Sequence, residues 1–320
     1  HIDDVVTRPS REEILARRSV SQYWRDRAEG YLNWGGQHRL KEGIAELVFD
    51  QAKELSANGV CTQGNSCVLV THSTGDLVSR YFIAHQEAWL SAAGYEPLNI
   101  IATIDYAGAG GGTELANVAA GFVGGTSTAV EWVTAINLIW GINLSDLALD
   151  ELGVIRDLTT WKARSHADWP EDVPRLRMSA NGGSAFDIPM GPVYTVTHTI
   201  MPGADDTVVP AHSSCGASSA WPIESCSGSV AYDGKREWEF GPGGFMPNHY
   251  PVLMSHAYDH FNIPKDEHQG KVTYVMNNFN AGLNVDFATR TKTVDAPWWD
   301  LITEEGTWQY VRESGSKSMT

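Results

Sequence analysis

Apolar positions along the chain fall into short β-type runs that alternate with longer helical stretches. Residues 10–29 carry a helix signature. Ser10 can cap it, Glu12 and Glu13 fill the first turn, and Ile14, Leu15 and Tyr23 give a partial stripe. Residues 31–34 read as a short strand ended by Gly35 and Gly36. Residues 38–57 form a clearer amphipathic helix with Leu40, Ile44, Leu47, Val48 and Ala52 on one face. Residues 67–71 are an apolar β-type run that passes into His72-Ser73-Thr74-Gly75 and then into a helix over 76–90. Residues 99–105 repeat the buried-strand pattern and lead into a glycine-rich loop at 108–112. Beyond it, residues 114–148 are apolar and helical, and 193–200 alternate as a strand. An irregular segment follows over 211–255, then a helix over 265–280 and a Trp-bearing tail over 284–320. Strands alternating with helices predict an α/β fold, a mostly parallel sheet with helices on both faces.

Composition narrows the function classes. The 320 residues are expected to form a single domain, with 108–165 as a cap or lid region within it and 284–320 as a C-terminal tail. A net charge of −16 excludes nucleic acid and anionic membrane surfaces as primary partners. No apolar run approaches the roughly 20 residues of a membrane span. The four cysteines pair by spacing as Cys61 with Cys67 and Cys215 with Cys226, neither with the C-x-x-C spacing of a zinc or redox site. Structural disulfides imply an oxidising compartment, so the chain is expected to be a mature form, secreted or periplasmic.

The sharpest chemical signal is Thr71-His72-Ser73-Thr74-Gly75 between a buried strand and a helix. A serine on such an elbow needs small neighbours, because its backbone is strained and crowded. The helix N-terminus below it favours negative charge on a tetrahedral intermediate. An activated serine needs a base, and the base needs a carboxylate to set its tautomer. The turn Gly203-Ala204-Asp205-Asp206-Thr207-Val208-Val209-Pro210 supplies the carboxylate, with Asp206 preferred and Asp205 the alternate. Downstream, His260 lies on a loop before a helix, and His256 ends an apolar run. His260 is the preferred base and His256 the alternate. A metal site at this cluster is disfavoured by Pro264 and by the lack of an H-E-x-x-H glutamate. A histidine base must be neutral to act, so activity is expected to rise with pH between about 5.5 and 7.5.

Together these motifs, with the loop Ala107-Gly108-Ala109-Gly110-Gly111-Gly112-Thr113-Glu114-Leu115-Ala116, resemble the lipase/esterase branch of the α/β-hydrolase superfamily over residues 30–280. The resemblance implies the chain order Ser, Asp, His, with Ser73, Asp206 and the late histidine loop in those places, and it puts one oxyanion donor on the N–H of Thr74. Thr71 departs from the family pattern, standing where the first glycine of G-x-S-x-G is usual. The family's second oxyanion donor lies on an early His-Gly loop that has no counterpart here. It is expected on a segment upstream of His1, possible as a separate chain. Phe122, Trp132 and Trp140 of the cap are expected to line a site for an apolar ester, a small molecule or a lipid or polymer. No cofactor and no metal are implied. Polyester depolymerisation or acyl transfer would use the same three residues. A non-catalytic binding protein of the same fold is the reading of another class, and a fluorophosphonate probe separates it.

Overall fold

The computed structural model describes residues 28–127, 130–166, 173, 175–180, 182, 191–201, 203, 205–214, 249–253, 258–264, 274–278, 283–293 and 307–313. In chain order the helices and strands are α1 (Ile44–Ala57), β1 (Cys67–His72), α2 (Thr74–Ala92), β2 (Ile100–Tyr106), α3 (Glu114–Val123), α4 (Val130–Trp140), α5 (Thr160–Ser165), β3 (Arg175–Ser179), α6 (Gly191–Ile200), α7 (Ala211–Ser214) and β4 (His249–Leu253). They are followed by β5 (Tyr274–Asn278), β6 (Leu283–Thr293) and β7 (Thr307–Glu313). Two short 3₁₀ stretches, Leu144–Asp146 and Leu149–Arg156, join α4 to α5.

Strands β1 to β4 form a sheet in that spatial order, and every pairing in it is parallel. The fold is α/β, as the alternation of strands and helices predicts. Period-two alternation gives the sheet two different faces. Ala102, Ile104 and Tyr106 of β2 join Leu176 and Met178 of β3 in an apolar cluster closed by Tyr258 and Ile263. The intervening side chains Thr103, Asp105, Arg175 and Arg177 are polar, and all are fully buried.

The main core lies among the helices. Ile44, Val48 and Ala52 of α1 meet Leu77, Phe82, Ile83 and Leu90 of α2, with Leu115 of α3 and Ile136 of α4 in the same cluster. Each large side chain buried there contributes about 1.5–3 kcal/mol. The Cys61–Cys67 disulfide ties the loop before β1 to its first residue.

Several sequence expectations are corrected. Residues 31–34 are not a strand. The side chain of Gln51 supplies the partner a neighbouring strand would have supplied, accepting from Asn33 N–H at 2.9 Å and donating to Asn33 C=O at 2.6 Å. Helix α1 starts at Ile44, not at residue 38, because Gly43 at φ 94° breaks the helical path. Residues 193–200 are helical in spite of their β-branched content. Pro192 suits a helix start, Val193 and Thr197 bury at i, i+4 spacing, and the Thr197 and Thr199 hydroxyls donate back to the carbonyls of Tyr194 and Val196. The helix expected over 265–280 and the tail after 284 instead contain β5, β6 and β7, an antiparallel sheet. Their content of Val, Thr, Tyr and Phe suits a pleated surface. Most of the helix expected over 10–29 lies outside the described residues.

Candidate active site

Strand β1 ends at His72, and α2 begins at Thr74. Ser73 between them is held at φ 57°, ψ −124°, in a region that a non-glycine residue enters only under constraint. The constraint is a set of backbone bonds. Ser73 N–H donates to Tyr106 C=O at 3.0 Å, and Ser73 C=O accepts from Asp76 N–H at 3.1 Å and Ala109 N–H at 2.9 Å. Close approach requires glycine nearby. A Cβ on Gly108 would lie 2.5 Å from an Asp76 carboxylate oxygen, and one on Gly75 would lie 3.2 Å from Thr71 Cβ. The hydroxyl of Thr71 is held by Asp105 of the neighbouring strand, donating to its Oδ1 at 2.6 Å.

Ser73 Oγ lies 2.8 Å from His260 Nε2, and His260 Nδ1 lies 2.9 Å from Asp206 Oδ2. A carboxylate can only accept, so Nδ1 carries the hydrogen and Nε2 is free to accept from the serine hydroxyl. Asp206 is fully buried, and its other oxygen accepts from the N–H groups of Val208 at 3.0 Å and Val209 at 2.6 Å. His260 sits on a tight turn shaped by Asp259, whose Oδ1 accepts from Phe261 N–H and Asn262 N–H. The loop is pinned on both sides of the imidazole. His260 N–H donates to Asp206 C=O at 2.9 Å. His260 C=O accepts from Nε2 of His72, whose ring lies 4.7 Å from that of His260. A serine hydroxyl facing an imidazole that a buried carboxylate holds is the arrangement that general-base activation of a nucleophile requires.

The other site candidates fall elsewhere. Asp205 turns to a different histidine, accepting from His198 Nδ1 at 2.6 Å and from Thr207 N–H at 2.8 Å. Burial pushes the Asp205 carboxyl up, against the lowering effect of His198. The Asp206 turn follows helix α6, not the strand expected there. Phe122, Trp132 and Trp140 are half-buried, and Phe122 and Trp140 pack on the main core. His256, Cys215 and Cys226 lie outside the described residues, as do residues 1–27, which would follow the expected oxyanion segment. Among the described residues no group of three or more His, Cys, Asp and Glu is placed to hold a metal ion.

Sequence reasoning missed a buried charge network behind the elbow. Asp76 on α2 is fully buried and meets Arg175 Nη1 at 3.1 Å, while Arg177 engages it with both terminal nitrogens. Burial pushes the Asp76 carboxyl up, but Arg177 and Arg175 outweigh it and hold it below the usual carboxylate range. Asp105 lies next to this pair, 3.5 Å from Arg175 Nη1, and accepts from Thr71 and Thr103. Burial and the charge of Asp76 push the Asp105 carboxyl up. A signal was present in the sequence. Arg175 and Arg177 alternate with Leu176 and Met178, which puts two charges on one face of a strand.

No family model matches the chain, and no curated protein matches it in sequence. Among solved structures it is similar to the mature form of Bacillus licheniformis lipase BlEst2, at 13% identity and TM-score 0.45 over 78% of this chain and 83% of that one. It is also similar to lipase 1 from Pelosinus fermentans, at 17% identity and TM-score 0.38 over 62% of this chain and 66% of that one. EstA from Clostridium botulinum matches at 15% identity and TM-score 0.38, over 63% of this chain and 61% of that one.

Proposed function

We propose that this chain is a serine carboxylic-ester hydrolase acting on apolar esters through an acyl-enzyme on Ser73. The observation that carries the reading is the continuous relay from Ser73 Oγ through His260 to buried Asp206. In the first half-reaction Ser73 Oγ attacks the ester carbonyl carbon as its proton passes to His260 Nε2. The carbonyl oxygen becomes an oxyanion, for which the N–H of Thr74, the first residue of α2, is the proposed donor. Collapse breaks the C–O bond, and the alcohol leaves with the proton from His260. In the second half a water gives its proton to His260 and attacks the acyl carbon. Carboxylic acid departs, and the serine regains its proton. Asp206 orients the imidazole and steadies the imidazolium formed in each half.

An apolar substrate is supported by the helical segment after the glycine-rich loop. Leu138 and Val130 of α4 are exposed, and Phe122, Trp132 and Trp140 are only half-buried. The Cys61–Cys67 disulfide supports an oxidising compartment, hence secretion or the periplasm. The test has two arms. A fluorophosphonate probe should label Ser73, and p-nitrophenyl esters of graded chain length should be hydrolysed. Ser73→Ala should abolish both while the melting temperature stays near wild type, with a loss on the order of 10⁶ in kcat. A wild-type protein that takes no label, or a mutant that still turns over, overturns the proposal.

A further inference from the structure

The buried Asp76 carboxylate connects parts of the site that are far apart in sequence. It lies three residues after Ser73 and accepts from Gly110 N–H at 2.8 Å, in the loop whose Ala109 N–H bonds Ser73 C=O. Arg177 carries the connection onward. While it engages Asp76, its Nε donates to Ser214 C=O at 2.9 Å and its Nη2 to Ser213 C=O at 3.3 Å. Ser213 Oγ in turn accepts from Gly111 N–H at 3.0 Å. Ser213 and Ser214 belong to α7, which begins just after the turn that holds Asp206. A single carboxylate is therefore joined to the nucleophile's elbow, to the loop beneath it and, through Arg177, to the element following the histidine's carboxylate.

We propose that Asp76 is a positioning residue for the ester-hydrolase reaction: with Arg177 it sets the separation between Ser73 and the His260–Asp206 pair. The inference rests on the serine-hydrolase reading above. It makes no claim on substrate binding, so its signature is a fall in kcat without a matching rise in KM. A small misplacement of reacting groups costs about 10²-fold in rate.

Asp76→Asn keeps the shape of the side chain and removes its charge. Arg177→Lys keeps the charge and removes the planar fork. For each variant, the number of sites labelled by a fluorophosphonate at completion counts the folded, competent molecules. Turnover of p-nitrophenyl butyrate is then expressed per labelled site. A purely structural role would lower the count and the melting temperature but leave turnover per labelled site unchanged. Asp76→Asn should lower kcat per labelled site about 10²-fold with KM within about three-fold, and Arg177→Lys should move it the same way by less. Wild-type turnover per labelled site in a folded Asp76→Asn overturns the inference. If Asp76→Asn yields no folded protein, Arg177→Lys decides by the same readout, with wild-type turnover overturning the inference. A wild-type protein that takes no label instead overturns the hydrolase reading and this inference with it. A labelled wild type beside an unaffected variant overturns this inference alone.

Discussion

At the scale of single residues, the site combines strain with satisfaction. Ser73 sits at positive φ, where a side chain costs about 1–3 kcal/mol, yet its backbone N–H and C=O are fully engaged. The strain is what lifts Oγ off the strand and toward His260. Glycine has no such cost at this φ. Ser73→Gly should therefore lose hydrolysis completely and still gain stability, by about 1 kcal/mol. Urea denaturation of the two proteins checks this, and a mutant less stable than wild type would show that the elbow is not strained. The adjacent pair Asp205 and Asp206 makes a related point. Both are buried acids on one turn, and which histidine each one meets depends on a direction that differs by one residue.

At the scale of elements, β2 and β3 show that a strand can be fully buried without being fully apolar. One face of the sheet packs Ile104, Tyr106, Leu176 and Met178, and the other packs two arginines against two aspartates. Removing one partner from such a cluster is expensive, because it strands the opposite charge. The two acids are not equivalent, however. Asp76 is held ionised by the guanidinium groups, whereas burial beside Asp76 drives Asp105 toward its neutral form. Asparagine keeps the shape of the acid without its charge, with an oxygen to accept from Thr103 and an amide to face Thr71. Asp105→Asn should fold and melt within about 2–4 °C of wild type, the equivalent of roughly 1 kcal/mol in a large domain. Scanning calorimetry on Asp105→Asn and Asp76→Asn tests the asymmetry, and equal destabilisation by the two would refute it.

At the scale of the whole molecule, stability should be asymmetric in pH. His166 is buried where α5 meets α2, and its Nε2 has no hydrogen-bond partner among the described residues. Its backbone carbonyl accepts from Arg80. Burial first, and then the charge of Arg80, lower its pKa to about 4. The unfolded chain takes up a proton near pH 6.5 while the folded chain does not. Stability is therefore lost as pH falls from about 6.5 to about 4, and this contribution levels off below that. Asp76 has the same sign at lower pH, since its depressed pKa stabilises the fold above the carboxylate range and is lost on acidification. Melting temperature measured from pH 7 to pH 4 should fall, and His166→Gln should flatten that slope. An unchanged slope in the variant would remove His166 from the account.

Local features made part of this protein legible from its sequence. The apolar run into Thr71-His72-Ser73-Thr74-Gly75 specifies a strand, a turn and a helix, because periodicity and small residues act over a few neighbours. The face of α1 with Ile44, Val48 and Ala52, and the Cys61–Cys67 pairing, were readable for the same reason. Residues 193–200 were not, because their β-branched pattern favours a strand and only burial of Val193 and Thr197 against other elements makes the helix win. Nor was the strand order, or the partners of Asp76 and Asp205. His260 and Ser73 are 187 residues apart, and Arg177 and Asp76 are 101 apart. No pattern within a short window records which of several acids and histidines will meet across such distances. Packing decides that, by burying one set of partners together where an unpaired charge would be too costly to keep.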